Sequence, residues 1–461
     1  MSDLNRPKKN ISPLREGWAA PVRAALEAFL ETVRPGDYAV FDFDNSCAVF
    51  DLEEQTMVYQ LRHMAFALTP EALEAVLLTG LPDPDADRSS YGFGGGSFRE
   101  RAADIRDAYG ELFARFGPFT PEGLGEEDAA RIEADPVWQG FAARMRSLYR
   151  LVWHSVPTEA ACPWIGYWFT GMTQEQVYRM ALRSHREYMA VPTRRVVWRT
   201  PDTPSRTGAV EMSLLLGISV TENVRELMAA LRAAGVAVWV CSASYADVIR
   251  AGIDAFGLHG SVTGLMAMDT RRDENGRYLP ACGTETSRSW LTGPDGAWLR
   301  DSRPIGAQTE QAGKSAAIRN VLLPRYGRGP AAGFMDSDGD FDFCTGFDSL
   351  RLVVCFNRAD RGVRDGGGII AAMAESQRVR GFTLPAASAA GETLYVLQGR
   401  DENGLRSLRP SCATVKFGET EERLFGDGEL AALSRAMTEE GLSSRDAARR
   451  WRYGERSGDG E

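Results

Sequence analysis

The sequence predicts an α/β protein built on a parallel sheet. Two observations favour that class: short apolar runs alternate with segments of helical apolar spacing, and several of these runs end in acidic or hydroxyl residues. The 461 residues carry 53 basic and 63 acidic side chains, so the net charge is −10, and 44% of the residues are hydrophobic. This composition excludes a largely disordered chain and argues against nucleic-acid binding through overall basicity.

The first predicted strand is the apolar run from Tyr38 to Phe43, which follows a segment of helical spacing at 21–33. Asp42 and Asp44 stand at the end of this run, in VFDFDNS. At a strand end, two carboxylates can divide nucleophilic attack and proton transfer between them. The alternative interpretation is a solvated acidic turn.

A second α/β unit lies far downstream. Thr221 is the predicted N-cap of a helix, and the strand at 236–240 follows it. Ser242 comes directly after that strand, where its hydroxyl can bind an anion or serve ordinary turn chemistry. Lys314 lies near the start of a predicted helix, a position at which lysines usually face solvent. Further strands are predicted at 331–335 and 350–356, and ligands of parallel sheets bind at the carboxyl ends of the strands.

An acidic cluster follows the strand at 331–335, in GFMDSDGDFD. Such carboxylates repel one another unless they meet a cation or are well solvated, and one or two of them make a reasonable Mg²⁺ site. The cluster lacks the later Glu and the full spacing of an EF-hand loop. Its members are Asp336, Asp338, Asp340 and Asp342.

Taken in order, DxDxS, the strand-end serine, the helical lysine and DSDGD resemble the haloacid dehalogenase superfamily of phosphohydrolases. The resemblance implies a Rossmann-like parallel-sheet core formed by residues 1–46 and 206–356. It also implies a mostly helical cap inserted after the first motif, at 47–205, and here a C-terminal extension of mixed structure packs on the core at 357–461. Ser46 departs from the commoner Thr of the family, and Met335 stands where Gly is usual.

The same resemblance implies the roles of individual residues. Asp42 resembles the nucleophile and Asp44 the general acid/base, while Ser242 and Lys314 would hold the phosphoryl oxygens. The cofactor it implies is Mg²⁺. The implied metal-site residues are Asp42, Asp44 through its backbone carbonyl, Asp336, and Asp340 directly behind them.

Within the cap, DxDNS…DLEE and PW…GMTxEQVY resemble phosphorylcholine phosphatases. A trimethylammonium group has no N–H to donate, so aromatic faces and nearby carboxylates would hold it. The alternative is that the aromatics are cap core and that the glutamates are favoured by a helix N-terminus. The implied substrate-binding residues are Glu53, Glu54, Trp164, Tyr167 and Trp168.

These observations predict a Mg²⁺-dependent phosphomonoester hydrolase that forms an aspartyl-phosphate, acting on phosphorylcholine or a similar amino-alcohol phosphate. Another small phosphomonoester such as phosphoserine is the alternative substrate, and a catalytically silent phosphate-binding protein is the alternative function. The expected partner is a small phosphorylated metabolite, and neither nucleic acid nor a membrane is expected as a partner. The polar, basic N-terminus and the scattered cysteines predict a cytoplasmic protein with free thiols.

Overall fold

The computed structural model describes residues 14–202, 204–359, 365–424 and 442–454. The first 13 residues, which belong to the polar, basic N-terminus used in the prediction of a cytoplasmic protein, lie outside the described residues. The strands, in chain order, are β1 (Tyr38–Phe41), β2 (Ala48–Val49), β3 (Arg194–Arg199), β4 (Glu211–Leu216), β5 (Ser219–Val220), β6 (Ala237–Tyr245), β7 (Gly264–Met268), β8 (Arg288–Thr292), β9 (Trp298–Pro304), β10 (Ala332–Met335), β11 (Leu352–Phe356), β12 (Leu394–Gln398), β13 (Arg400–Asp401), β14 (Ser407–Leu408), β15 (Thr414–Val415) and β16 (Glu422–Arg423).

The helices are α1 (Ala20–Glu31), α2 (Leu52–Arg62), α3 (Pro70–Leu77), α4 (Phe98–Phe116), α5 (Glu126–Glu133), α6 (Pro136–Ser155), α7 (Thr158–Trp164), α8 (Gln174–Met189), α9 (Glu222–Ala233), α10 (Ala246–Ala255), α11 (Ala312–Ala317), α12 (Leu323–Tyr326), α13 (Phe341–Thr345), α14 (Gly366–Val379), α15 (Leu384–Ala389) and α16 (Ser444–Gly454). Short 3₁₀ segments lie at Ser89–Tyr91, Ile165–Phe169 and Asp338–Asp340, and a π-helical turn lies at Ile318–Leu322.

The centre of the fold is an eight-stranded sheet in the order β12-β11-β10-β1-β6-β7-β8-β9. Its strands from β12 to β7 pair in parallel, and β8 and β9 add an antiparallel hairpin at one edge. The protein therefore has the predicted α/β, Rossmann-like architecture. All residues of β1, β10 and β11 are buried, because helices cover both faces of the sheet.

Alternate residues of β1 point into two separate hydrophobic cores. Ala39 and Phe41 pack in the core that includes α1, α9 and α10, whereas Tyr38 and Val40 pack in the core that includes α14. This alternation follows from the two-residue period of a strand. It holds β1 in the middle of the sheet, with its carboxyl end fixed between those of β10 and β6.

The chain between β2 and β3 contains α2 to α8, in agreement with the helical pattern of that region. Side-chain caps begin several of these helices: Asp51 accepts from Glu54 N at α2, and capping boxes begin α4 at Ser97 and α8 at Thr173. The antiparallel hairpin β3–β4 runs across the predicted cap boundary at residues 205 and 206. No helix in the described ranges is long and apolar enough to cross a membrane.

The segment beyond residue 356 contributes to the central sheet itself. β12 pairs in parallel with β11 over five residues, so the sheet extends past the predicted end of the core. A short hairpin in this region is formed by β13 and β14, which belong to a small four-stranded sheet. Arg400 of β13 donates to the backbone oxygen of Asn45 at 2.8 Å, which attaches this sheet to the loop that follows β1.

Candidate active site

Three neighbouring parallel strands bring polar side chains to one edge of the sheet. Asp42 follows β1 and Asp336 follows β10, while Ser242 lies in β6 where its pairing with β7 becomes irregular. These three residues are 5%, 2% and 1% exposed. The sequence predicted this meeting, because an apolar run that ends in a polar residue marks the carboxyl edge of a parallel sheet.

Lys314 of α11 joins two of the buried carboxylates. Its ammonium donates to Oδ1 of Asp42 and to Oδ1 of Asp340, each at 2.6 Å, and the side chain is buried. Burial alone would lower the pKa of Lys314, but the charges of Asp340 and Asp42 outweigh it and raise the pKa well above its usual range. Lys314 therefore stays charged although it is buried, and it does not face solvent as most helical lysines do.

The carboxylates of Asp42, Asp336 and Asp340 each have an oxygen within 4.8 Å of the others, and all three residues are buried. Burial, together with the charge of the neighbouring Asp336, raises the pKa of Asp42 to about 6 against the opposing effect of Lys314. A divalent cation would relieve this repulsion, since oxygen ligands in such a cluster are those that Mg²⁺ prefers. The residues present thus fit the implied metal.

Two further side chains form hydrogen bonds with the carboxylates of this cluster. Ser46 Oγ lies 2.9 Å from Oδ2 of Asp42 and 3.2 Å from Oδ1 of Asp336, so its hydroxyl can donate to either carboxylate. Arg358 Nη1 donates to Oδ2 of Asp336 at 3.0 Å. Ser46 thus contacts two of the clustered carboxylates, and Arg358 was not identified from the sequence.

Asp44 is held in a defined orientation at the same site. Its Oδ1 accepts from the backbone N–H of Leu52 at 2.7 Å, and its Oδ2 accepts from the hydroxyl of Ser244 at 2.7 Å. Burial raises the pKa of Asp44 well above its usual range, with a further contribution from the charge of Asp51. A carboxyl group with a raised pKa is suited to donate a proton near neutral pH.

These groups line a cavity of about 310 Å³. Asp42, Asp44, Ser242, Lys314 and Asp336 all contribute to its wall, which brings together five of the predicted residues. The Ser242 hydroxyl oxygen accepts from the backbone N–H of Ser244 at 3.1 Å, and its own hydrogen is left to donate to a ligand. The cavity can therefore receive an anionic group against two donors and a carboxylate nucleophile.

Other residues of this wall were missed by the sequence analysis. Glu310 lies four residues before Lys314, in the loop that leads into α11, and burial together with the charge of Glu159 raises the pKa of Glu310 to about 7. Trp153 also lines the cavity and is 41% exposed. Neither belongs to a recognisable motif; a half-exposed aromatic next to a cavity becomes visible only once α6 is packed.

The predicted substrate-binding residues of the cap lie elsewhere. The 310 Å³ cavity has none of Glu53, Glu54, Trp164, Tyr167 or Trp168 among its described lining residues. Trp164 and Trp168 are fully buried in the hydrophobic core, with their rings 5.8 Å apart, and Tyr167 is 7% exposed. This placement favours the alternative in which the aromatics are cap core.

The two glutamates are also engaged by the protein. Glu53 accepts from the backbone N–H of Tyr245 at 3.1 Å, at the start of α10. Glu54 accepts two hydrogen bonds from Arg146, at 2.8 and 3.1 Å. Arg146 lowers the pKa of Glu54 below its usual range against the effect of burial. Glu53 therefore links the cap to α10, whereas Glu54 joins α2 to α6 within the cap, and neither side chain lines the 310 Å³ cavity.

Comparisons with known proteins show the fold but no family. Models of protein families gave no match, and neither did curated proteins. A structure of a conserved, functionally unknown protein from Anaerococcus prevotii is 21% identical, covers 88% of this chain and 99% of its own, and has a TM-score of 0.68. That level of identity shows a shared fold alone.

Two other solved structures matched with low TM-scores. A Bordetella pertussis protein of unknown function is 16% identical, covers 75% of this chain and 96% of its own, and has a TM-score of 0.30. Cytosolic 5'-nucleotidase IIIB bound to cytidine is 13% identical, covers 77% of this chain and 84% of its own, and has a TM-score of 0.28. At these TM-scores neither structure carries an inference about this chain.

Proposed function

We propose that the protein is a Mg²⁺-dependent phosphomonoester hydrolase that acts through an aspartyl-phosphate on Asp42. The observation that carries the proposal is the contact of Lys314 with Asp42 and Asp340 inside a cavity that Asp44, Ser242 and Asp336 also line. The order of these residues in the sequence is that of the haloacid dehalogenase superfamily. Position in the chain and position in space thus favour the same chemistry.

In the first step, a carboxylate oxygen of Asp42 attacks phosphorus and the ester P–O bond breaks. Lys314 and Ser242 hold the non-bridging oxygens, which carry the charge that would otherwise repel the nucleophile. Asp44, whose pKa is raised by burial, gives its proton to the departing alkoxide. Asp42, Asp336 and the Asp44 backbone carbonyl would hold Mg²⁺, which neutralises phosphate charge when bound.

In the second step, water hydrolyses the aspartyl-phosphate. Asp44 is now a carboxylate, so it accepts a proton from the attacking water while the P–O bond to Asp42 breaks. The products are an alcohol and inorganic phosphate, and both carboxyl groups return to their initial protonation states. The hydrogen bonds from Leu52 and Ser244 keep Asp44 in place for both proton transfers.

For the substrate, phosphorylcholine and phosphoserine remain the two candidates to compare. Phosphorylcholine needs an aromatic surface, and Trp153 is the one aromatic side chain among the described residues that line the 310 Å³ cavity. A single cation–π contact contributes about 0.5–2 kcal/mol. Phosphoserine carries a carboxylate in addition to its amine. The basic residues near this cavity favour that carboxylate.

Phosphate release from both compounds at a fixed Mg²⁺ concentration tests the proposal, with wild-type protein, Asp42→Asn and the control Asp128→Asn. Asp128 is an exposed acid of α5 and lies outside the cavity. We expect Asp42→Asn to lower phosphate release by about a thousandfold or more, as losing a covalent nucleophile does. Chelation of Mg²⁺ should have a similar effect, and Asp128→Asn should behave as wild type.

The same experiment separates the enzyme from a silent phosphate-binding protein. A binding protein would show no Mg²⁺-dependent phosphate release in the wild type, and wild-type release by Asp42→Asn would exclude the proposed nucleophile. Equal turnover of phosphorylcholine and phosphoserine would remove the argument for a choline-specific site.

A further inference from the structure

A second, larger cavity adjoins the candidate active site. Its volume is about 760 Å³, against about 310 Å³ for the cavity that contains Asp42. Asn45, Asp51, Trp153 and Arg358 line both. A phosphate ester whose phosphoryl group lies beside Asp42 can therefore extend its organic part past Trp153 into the larger space.

The wall of the larger cavity is predominantly basic. Its described lining residues include seven arginines and lysines but only four aspartates and glutamates. Three of the four acids are already paired with bases of the same wall, at 2.6–3.1 Å. These pairs are Glu54 with Arg146, Glu402 with Arg400 and Lys416, and Glu419 with Arg423.

Arg150 of α6 and Arg195 of β3 have no ion pair with a described carboxylate. Arg150 instead contacts Nε2 of His154 at 2.9 Å, and Arg195 lies 3.4 Å from the hydroxyl of Ser213. Both contacts are to uncharged groups and use one nitrogen of each guanidinium, so further N–H groups of Arg150 and Arg195 can donate to an anion, although the charge of Arg150 also acts on Glu54. Both side chains line the larger cavity from different elements, so an anion between them would be approached from two sides.

The fourth acid does not cancel this charge. Asp51 caps α2, where it accepts from the backbone N–H of Glu54 at 2.8 Å. Burial, with a further contribution from the charge of Glu54, raises the pKa of Asp51 to about 7, so this carboxyl is only partly ionised near neutral pH. Arg358 lines both cavities at their junction, where it is paired with Asp336 at 3.0 Å.

We propose that the larger cavity binds a second anionic group of the substrate, through Arg150 and Arg195. The proposal rests on the proposed phosphatase activity. The substrate is then a phosphate ester whose organic part bears a carboxylate or a second phosphate. Guanidinium groups suit both anions, because they offer several N–H donors in a planar arrangement. Trp153, at the junction of the two cavities, provides the apolar surface along which the organic part lies.

Two matched pairs of compounds test the assignment. Phosphoserine differs from phosphoethanolamine by one carboxylate, and fructose 1,6-bisphosphate differs from fructose 6-phosphate by one phosphate. For each pair, kcat/KM is measured for wild type, Arg150→Gln, Arg195→Gln and Arg194→Gln. Arg194 is the matched control, because it is an exposed neighbour on β3 whose side chain points to the opposite face and does not line the cavity.

We expect wild type to prefer the doubly anionic member of at least one pair by about tenfold or more, the effect of one well-placed charged hydrogen bond. The pair that shows the preference identifies carboxylate or phosphate as the second anion. Arg150→Gln and Arg195→Gln should each lower that preference by about tenfold. Arg194→Gln should keep the wild-type ratio. Equal kcat/KM within both pairs, or a ratio that neither variant changes, would overturn the assignment.

Two measurements distinguish a failure of the second-anion site from a failure of the proposed phosphatase activity. Hydrolysis of para-nitrophenyl phosphate reports the chemistry without a second anion, so activity there without preference in the pairs refutes the second-anion site alone. Binding of fructose 1,6-bisphosphate and fructose 6-phosphate to Asp42→Asn, measured by calorimetry, needs no turnover. A loss of bisphosphate affinity in Asp42→Asn/Arg195→Gln supports the site even if hydrolysis fails, and unchanged affinity refutes it.

Discussion

Replacing Lys314 with Met tests whether its ammonium is the main compensation for the buried carboxylates. The substitution keeps an unbranched side chain of similar length but removes both 2.6 Å hydrogen bonds, to Asp42 and to Asp340. A hydrogen bond to a charged group contributes about 1.5–3 kcal/mol, so two of them amount to about 3–6 kcal/mol. Breaking a buried ion pair costs about 3–5 kcal/mol. We therefore expect the free energy of unfolding to fall by about 4 kcal/mol.

The measurement is urea unfolding at neutral pH in the presence of a chelator, so that no divalent cation compensates the carboxylates in place of Lys314. Arg179→Met is the control, because Arg179 is 71% exposed and, among the described residues, its ion pair is with Glu175 on its own helix. Exposed pairs of this kind contribute about 0.3–0.5 kcal/mol. A loss below about 1 kcal/mol in Lys314→Met would refute the electrostatic argument. A loss as small as that of Arg179→Met would mean that the buried contact contributes no more than an exposed ion pair.

Two other predictions concern pH and packing. His185 is fully buried, and burial lowers its pKa from 6.5 to about 4, so the unfolded chain binds more protons between these values and stability falls as the pH drops from 6.5 towards 4. His185→Gln should therefore reduce the stability difference between pH 7 and pH 5 by about 2 kcal/mol in urea unfolding, and an unchanged difference would contradict this. A methyl group at Gly166 would overlap the ring of Tyr245, so Gly166→Ala should cost about 1–3 kcal/mol in thermal or urea unfolding, whereas Gly260→Ala, with open space around it, should cost much less.

The sequence predicted the catalytic edge of the sheet because that edge depends on local patterns. An apolar run followed by Asp42, and another followed by Asp336, can be recognised without knowing the strand order. The parallel arrangement then places both ends at the same edge of the sheet, and the direct pairing of β1 with β10 brings them close together. β12 was less visible, because Leu394–Gln398 precedes a turn and its pattern is equally typical of a hairpin strand.

The cap residues that face the cavity could not be predicted in the same way. Trp164 and Trp168 are core residues and Trp153 faces the cavity, yet all three are tryptophans in helical segments of the cap. Which face of a helix meets the cavity is decided by how α6 and α7 pack, and apolar composition does not distinguish the two outcomes. Arg358 was missed for a related reason, since it reaches Asp336 from the next strand of the sheet and belongs to no motif.

The net charge of −10 does not decide which ligands the site accepts. At physiological salt, charges more than about 8 Å apart are largely screened at the surface, so a ligand in the cleft responds to its nearest groups. Within the smaller cavity, Lys314 and Arg358 oppose the carboxylates of Asp42 and Asp336. In the larger cavity, Arg150 and Arg195 form no ion pair with a described carboxylate and can donate to an anion. An acidic protein can therefore favour a doubly anionic substrate, because the two ends of that substrate meet positive groups in both cavities while the repelling carboxylates elsewhere are screened.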